Sequence, residues 1–304
     1  MSLTPKLFVT GASGQLGKHV IETLLETVPA SDIVAGLRDP ANGGEVADAL
    51  REKGVEVRAA DYSRPEILTK ALAGVDRLLL ISSSENGQRR VQHRNVVDAA
   101  KKGGVSFIAY TSILHADTSP LFLAEEHRDT EAALAESGVP FALLRNGWYT
   151  EVYTWRLPLA LKQGFLMSAA GEGRVSSAAR ADYARAAATV LAGGEHAGRI
   201  YELAGDASFT LAELVDLVAE TSGTPMSYQN VTPEAFRSAV TETGAPEIVA
   251  KILSDTDAGV AKGALFDDGG ELARLIGRPT TPFQATIGDF VRRQRASGEA
   301  SSHA

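Results

Sequence analysis

A chain of 304 residues, 44% apolar and 22% charged, can bury a sizeable core as one large domain or as a nucleotide domain with a smaller lobe. A net charge of −8 argues against a general nucleic-acid binder. With no cysteine, disulfides, zinc–thiolate sites, iron–sulfur clusters and a thiol nucleophile are excluded.

Leu7, Phe8 and Val9 form a short apolar run that reads as a buried strand. Gly11, Gly14 and Gly17 follow at three-residue spacing. From Leu16 onward, Val20, Ile21, Leu24 and Leu25 recur at helical spacing, so a helix opens inside the glycine run. Glycines let the backbone approach a pyrophosphate closely, and a helix N-terminus offers unpaired N–H groups and partial positive charge. Ser13 and Gln15 can add donors. Gly11, Ser13, Gly14, Gln15, Leu16 and Gly17 are therefore candidates to hold a dinucleotide, in the strand–turn–helix context that such a motif requires. The alternative is an ordinary tight β–α turn without a ligand.

Strand and helix then alternate with little waste. Strands are expected at 32–37, 55–61, 75–81, 105–112 and 139–145, and helices at 42–53, 65–73, 88–102 and 123–137. Gly103 and Gly104 stop one helix and Gly138 another. This beat predicts an α/β, Rossmann-type doubly wound parallel sheet over 1–150, with ligands at the carboxyl ends of the strands. Beyond it, helices are expected at Leu157–Gln163, 182–191, 211–221, 233–243, 246–253 and 283–293, with a strand at Ile200–Leu203. Thr210 is a suitable N-cap and Gly223 a suitable stop for the 211–221 helix. Residues 151–295 are expected to form a smaller mixed lobe, interleaved with the first, that walls a substrate cleft. The small, polar tail 296–304 reads as disordered.

Strand two ends in Arg38, which can pair with the 2′-phosphate of NADP, but Asp39 follows and could accept the ribose hydroxyls of NAD. A solvated loop ion pair is the bland alternative. By position, Asp61 and Tyr62 end strand three near the adenine, and Ser82, Ser83 and Ser84 end strand four near the second ribose. Many short-chain reductases protonate substrate with a tyrosine and a lysine four residues on, and this chain has no such pair. Where it would lie, His127 and Glu131 share a helical face. His127 is a weak candidate acid, against the alternative of a surface histidine. The six histidines are scattered without metal-ligand spacing, so no metal is expected.

The spacing Gly-x-x-Gly-x-x-Gly resembles the motif of extended and atypical short-chain dehydrogenase/reductases. Gly11-Ala-Ser-Gly-Gln-Leu-Gly17, Leu79-Leu-Ile-Ser-Ser-Ser-Glu85, Gln92-His-Arg-Asn95, Phe107-Ile-Ala-Tyr-Thr-Ser112 and Leu144-Arg-Asn-Gly-Trp-Tyr149 make the likeness specific. So do Thr27-Val-Pro-Ala30, Leu114-His-Ala-Asp-Thr-Ser-Pro120, Gly263-Ala-Leu-Phe-Asp-Asp268 and Leu275-Ile-Gly-Arg-Pro-Thr-Thr281. Across nearly its whole length the chain resembles the NmrA-like group, close to its bacterial NADPH:quinone oxidoreductases of the second type. That resemblance implies NADPH on the glycine loop, its 2′-phosphate near Arg38, and the nicotinamide near Asn146 and Gly147. A small quinone pocket would adjoin Asn146, Trp148 and Tyr149. Asp39 and Asn42 depart from the pattern, which keeps NADH open as cofactor. A quinone needs orientation more than an acid, so the missing Tyr–Lys pair fits direct hydride transfer. Trp148 and Tyr149 can equally plug the core, Tyr149 is a second weak candidate acid, and Asn146 can equally be a turn residue. The other readings are a non-catalytic NADP-binding redox sensor of the NmrA type and, ranked below it, a sugar-nucleotide epimerase. With a strand at residue 7 and no apolar run of membrane-spanning length, a cytoplasmic protein without membrane or nucleic-acid partners is expected, its oligomeric state open and a homodimer among the options.

Overall fold

The computed structural model describes residues 4–42 and 44–302. Short apolar runs become strands: β1 is Leu7–Val9, β2 Ile33–Leu37, β3 Glu56–Ala59, β4 Arg77–Leu80, β5 Phe107–Ile113 and β6 Phe141–Asn146. Between them lie α1 (Gln15–Leu24), α2 (Gly44–Glu52), α3 (Pro65–Ala71), α4 (Arg89–Gly103) and α5 (Phe122–Ser137). After β6 come α6 (Glu151–Thr154), α7 (Leu157–Gln163), β7 (Phe165–Ser168), β8 (Arg174–Val175), α8 (Arg180–Ala192) and β9 (Ile200–Leu203). The chain closes with β10 (Phe209–Thr210), α9 (Leu211–Ser222), β11 (Ser227–Asn230), α10 (Pro233–Glu242), α11 (Glu247–Val260), α12 (Glu271–Ile276) and α13 (Phe283–Ser302).

The main sheet is parallel, in the order β3-β2-β1-β4-β5-β6-β9. Leu7 pairs with Ile33 on one side and Arg77 on the other, so the chain reverses its direction of travel across the sheet at β1. A crevice at the carboxyl ends of the strands belongs to such a switch point. Both faces are covered, which is why β1, β2 and β5 are buried at every residue. On one face Phe8, Leu78, Ile108 and Tyr110 pack with Leu68 of α3, Leu72 just after it, and Val96 and Val97 of α4; α1 and α8 pack on each other. Each large apolar side chain so buried contributes about 1.5–3 kcal/mol relative to exposure.

The chain divides into two compact units. The first comprises Met1–Asp117, Ala124–Asn146 and Arg180–Tyr201; the second comprises Thr118–Leu123, Gly147–Ala179 and Glu202–Ala304. In the second, β7 and β11 form a parallel pair and β8 and β10 an antiparallel one. Thr210 caps α9 through a capping box with Glu213, and Gly223 ends it in the left-handed conformation. The expected 246–253 helix runs on to Val260. The expected disordered tail differs too: α13 continues the helix through 296–302, and 303–304 lie outside the described residues. Among the described residues, no helix is long and apolar enough to cross a membrane.

Candidate nucleotide-binding site

The glycine loop sits at the switch point. Gly11 has φ +58°, a conformation that glycine adopts without strain, and its carbonyl accepts from Gly14 N–H at 2.9 Å. Gly17 meets a different demand: a Cβ there would lie 2.4 Å from Gly11 O and 2.7 Å from Ala12 Cα. Only glycine lets α1 start this close to the turn. Gly14 is the N-cap residue, no side chain caps the helix, and its first turn carries no acid. The first N–H groups of α1 and the positive end of its dipole are left to an anion. Ser13, Gly14 and Gln15 are exposed, whereas Leu16 and Gly17 are buried. Leu16 therefore packs its side chain inward and can offer only its main chain. A cradle that a Cβ would fill, beneath an uncapped helix, fits a pyrophosphate.

Under the loop, Tyr62 Oη lies within hydrogen-bond range of Thr10 Oγ1 and 2.8 Å from Ile81 O, tying the ends of β1 and β4 together. Burial pushes its phenol well above the usual value. The hydroxyl is thus a strut below the turn. Asp61 accepts from Ser63 N–H at 2.9 Å and Ser63 Oγ at 2.6 Å. Burial acts to raise its pKa, but the Ser63 hydrogen bonds and the charges of Arg38 and Arg64 prevail and hold it low. Asp39 turns back on its own loop, accepting from Ala41 N–H, Asn42 N–H and Asn42 Nδ2. Arg38 pairs instead with Glu85.

The Ser82–Ser84 segment is fixed mainly through its backbone. Ser82 N–H donates to Thr111 Oγ1 at 2.9 Å. Ser83 N–H donates to His93 Nε2 at 2.9 Å, and Arg89 Nε donates to Ser83 O. Because His93 Nε2 accepts, its proton sits on Nδ1, facing Thr130 Oγ1 at 2.9 Å. Burial, helped by the charge of Arg89, pushes His93 down to about 3, so the ring is neutral. Ser84 is exposed.

His127 is not the surface residue that its isolation suggested. It is buried, with Nδ1 2.7 Å from Tyr110 Oη, and burial holds its pKa well below the usual value. Four residues on, Glu131 accepts from Ser112 Oγ at 2.6 Å and from Arg145 Nη2 at 2.8 Å. Arg145 also pairs with Asp117 at 3.1 Å. The place of a Tyr–Lys pair is thus taken by a neutral histidine and an ion-paired carboxylate. Asn146 is the last residue of β6, opposite Ile113, so it is a strand residue rather than a turn former; its carbonyl accepts from Leu114 N–H at 2.9 Å. Asn146 and Gly147 are buried, while Trp148 and Tyr149 are half-buried. In the second unit, Tyr149 bridges Ala178, and Gly147 N–H donates to Leu203 O at 2.8 Å.

The second unit also holds an apolar cavity of about 260 Å³, lined by Trp155, Leu159, Met167, Phe236, Val249 and Leu253 among others. Arg156 in its wall is satisfied, with Nη2 donating to Met167 O at 2.7 Å and Nη1 3.4 Å from Asp257. Among the described residues, no group of three or more histidines and carboxylates could hold a metal.

Residues 11–193, from the first loop glycine through α8, match the family described as NAD(P)H-binding. The chain belongs to this family. Within the NAD(P)H-binding family it is 53% identical to Quinone oxidoreductase 2 of Escherichia coli, over 92% of this chain and 96% of that one. The structure of the NADPH-dependent quinone oxidoreductase from Escherichia coli complexed with NADPH superposes with a TM-score of 0.90 at 52% identity, covering 93% and 99% of the two chains. An NmrA-like family domain-containing oxidoreductase of Aspergillus flavus is 30% identical over 95% of this chain and 96% of that one.

The sequence reading missed Glu85, Gln92, His93 and Thr130. Arg89 and His93 stand four residues apart on one face of α4, a spacing that could have marked them as a pair acting on the β4 end.

Proposed function

We infer that this chain is an NAD(P)H-dependent oxidoreductase that reduces quinones, with NADPH as its nucleotide. The observation that carries the inference is the 53% identity to Quinone oxidoreductase 2, which spans nearly all of both chains rather than the nucleotide domain alone. When bound, NADPH supplies a hydride to the quinone ring, which with one proton gives the quinol. In this reading Gly11, Ser13, Gly14, Gln15, Leu16 and Gly17 receive the pyrophosphate, and Arg38 the 2′-phosphate. Asp61, with Tyr62 bracing the floor, borders the adenine side. Ser82, Ser83 and Ser84 line the second ribose, held in place by His93 and Arg89. Asn146 and Gly147 orient the carboxamide, and Trp148 and Tyr149 offer an aromatic wall to the quinone. No side chain is required as acid: His127 is neutral and buried, and a quinone oxygen takes its proton from water. The 151–295 region serves as the substrate lobe, a role supported by its apolar cavity. A cytoplasmic setting belongs to the same reading: with no cysteine among its 304 residues, the chain has no disulfide that would call for an oxidising compartment.

Gly14→Val tests the assignment. Gly14 is exposed, and a Cβ there meets nothing closer than Gly11 O at 3.1 Å, so the fold tolerates a side chain far better than at Gly17. The branched side chain occupies the pyrophosphate's approach. A folded variant that has lost nucleotide affinity and quinone reduction together is expected; one that keeps its affinity removes the glycine-loop assignment.

A further inference from the structure

Arg38 and Glu85 form an ion pair at the surface, with 66% and 39% of their side chains exposed. Glu85 does not wander to meet its partner. Its backbone N–H donates to Ser83 Oγ at 3.1 Å, and its Oε2 accepts from Gln92 Nε2 at 2.6 Å. Gln92 is buried, so a carboxylate is held at a set place beside the guanidinium. The other acids around Arg38 are engaged elsewhere: Asp39 by Ala41 and Asn42, and Asp61 by Ser63.

A 2′-phosphate brings up to two negative charges and seeks both prongs of a guanidinium. One guanidinium cannot serve that phosphate and Glu85 at full strength, so a 2′-phosphorylated nucleotide must displace the carboxylate or lie against it. A nucleotide with a free 2′-hydroxyl leaves the ion pair intact and can donate its O–H to Glu85. We propose that Glu85 is a specificity-determining residue that competes with the 2′-phosphate for Arg38 and thereby narrows the preference for NADPH over NADH. This rests on the reading that Arg38 receives the 2′-phosphate.

The test is a four-protein cycle, wild type, Arg38→Ala, Glu85→Gln and the double variant, with NADPH and NADH affinities measured by fluorescence titration. Both substitutions are at exposed or half-exposed positions, and circular dichroism checks that each protein is folded. Arg38→Ala is expected to weaken NADPH roughly tenfold to a hundredfold and NADH far less. Glu85→Gln should tighten NADPH about two- to fivefold, the range of an exposed ion pair, and leave NADH unchanged or weaker. With alanine at position 38, the gain on NADPH should fall below about twofold, since there is no guanidinium left to release. If Arg38→Ala weakens both nucleotides equally, the phosphate reading fails and the competition with it. If Arg38→Ala is selective but Glu85→Gln shifts both nucleotides alike, changes neither, or gives the same NADPH gain in both backgrounds, the phosphate reading stands and the role of Glu85 is overturned.

Discussion

Acid should loosen this protein through His93. Its ring is buried, accepts from Ser83 N–H, and sits at about 3 rather than 6.5 because burial penalises the charged form. Between those values the unfolded chain binds a proton that the folded chain refuses. The stabilisation from the neutral ring is therefore intact above 6.5 and is lost progressively as the pH falls toward the folded value near 3. At about pH 5 the unfolded histidine lies roughly 1.5 units below its pKa, which at about 1.4 kcal/mol per unit amounts to about 2 kcal/mol. The folded ring is still neutral there, so the figure depends on the unfolded pKa alone. His93→Gln keeps an oxygen that can accept from Ser83 N–H and removes the titration. Urea unfolding at about pH 7.5 and pH 5 should show wild type losing about 2 kcal/mol more than the variant, other titrating groups cancelling between them. Equal losses in the two proteins would refute the assignment of a neutral, buried His93.

Gly17→Ala should damage the fold itself, since its Cβ would stand 2.4 Å from Gly11 O; a drop in melting temperature together with lost nucleotide binding is expected, measured by calorimetry with and without NADPH. His127→Ala and Tyr149→Phe should each reduce quinone turnover only a few-fold, whereas Asn146→Ala should do more by disturbing orientation. A loss of about a hundredfold or more in either of the first two, with NADPH affinity kept, would identify that residue as a general acid.

The sheet was legible because β1 and β2 carry no polar side chain, β5 only Thr111 and Ser112, and Gly104 and Gly138 stop α4 and α5, signals that depend on neighbours only a few residues away. The glycine loop was legible for the same reason. Strands of two to four residues such as β7, β8 and β11 left no comparable mark because their burial is partial, and β10, though buried, is only two residues long, too short for a period to show. The polar interior was hidden too. Nothing in the spacing of His127 says that Tyr110, seventeen positions earlier, supplies its partner, and a histidine on a helix face looks the same whether that face meets water or core. Asp39 shows the opposite case: a charge that kept the cofactor question open proves to be folded onto its own turn by Asn42. Arg38 was found by its position after β2, but its engagement with Glu85 comes from the β4 end and required the fold.

Nucleotide held at the glycine loop should reduce a quinone. Mixing the purified protein with NADPH and a small panel of quinones, while following nucleotide and quinol together, tests it most directly. One NADPH is expected to be consumed for each quinol formed, at a rate that Gly14→Val abolishes. Tight NADPH binding with no consumption against any quinone in the panel would contradict it and leave a nucleotide-binding sensor in its place.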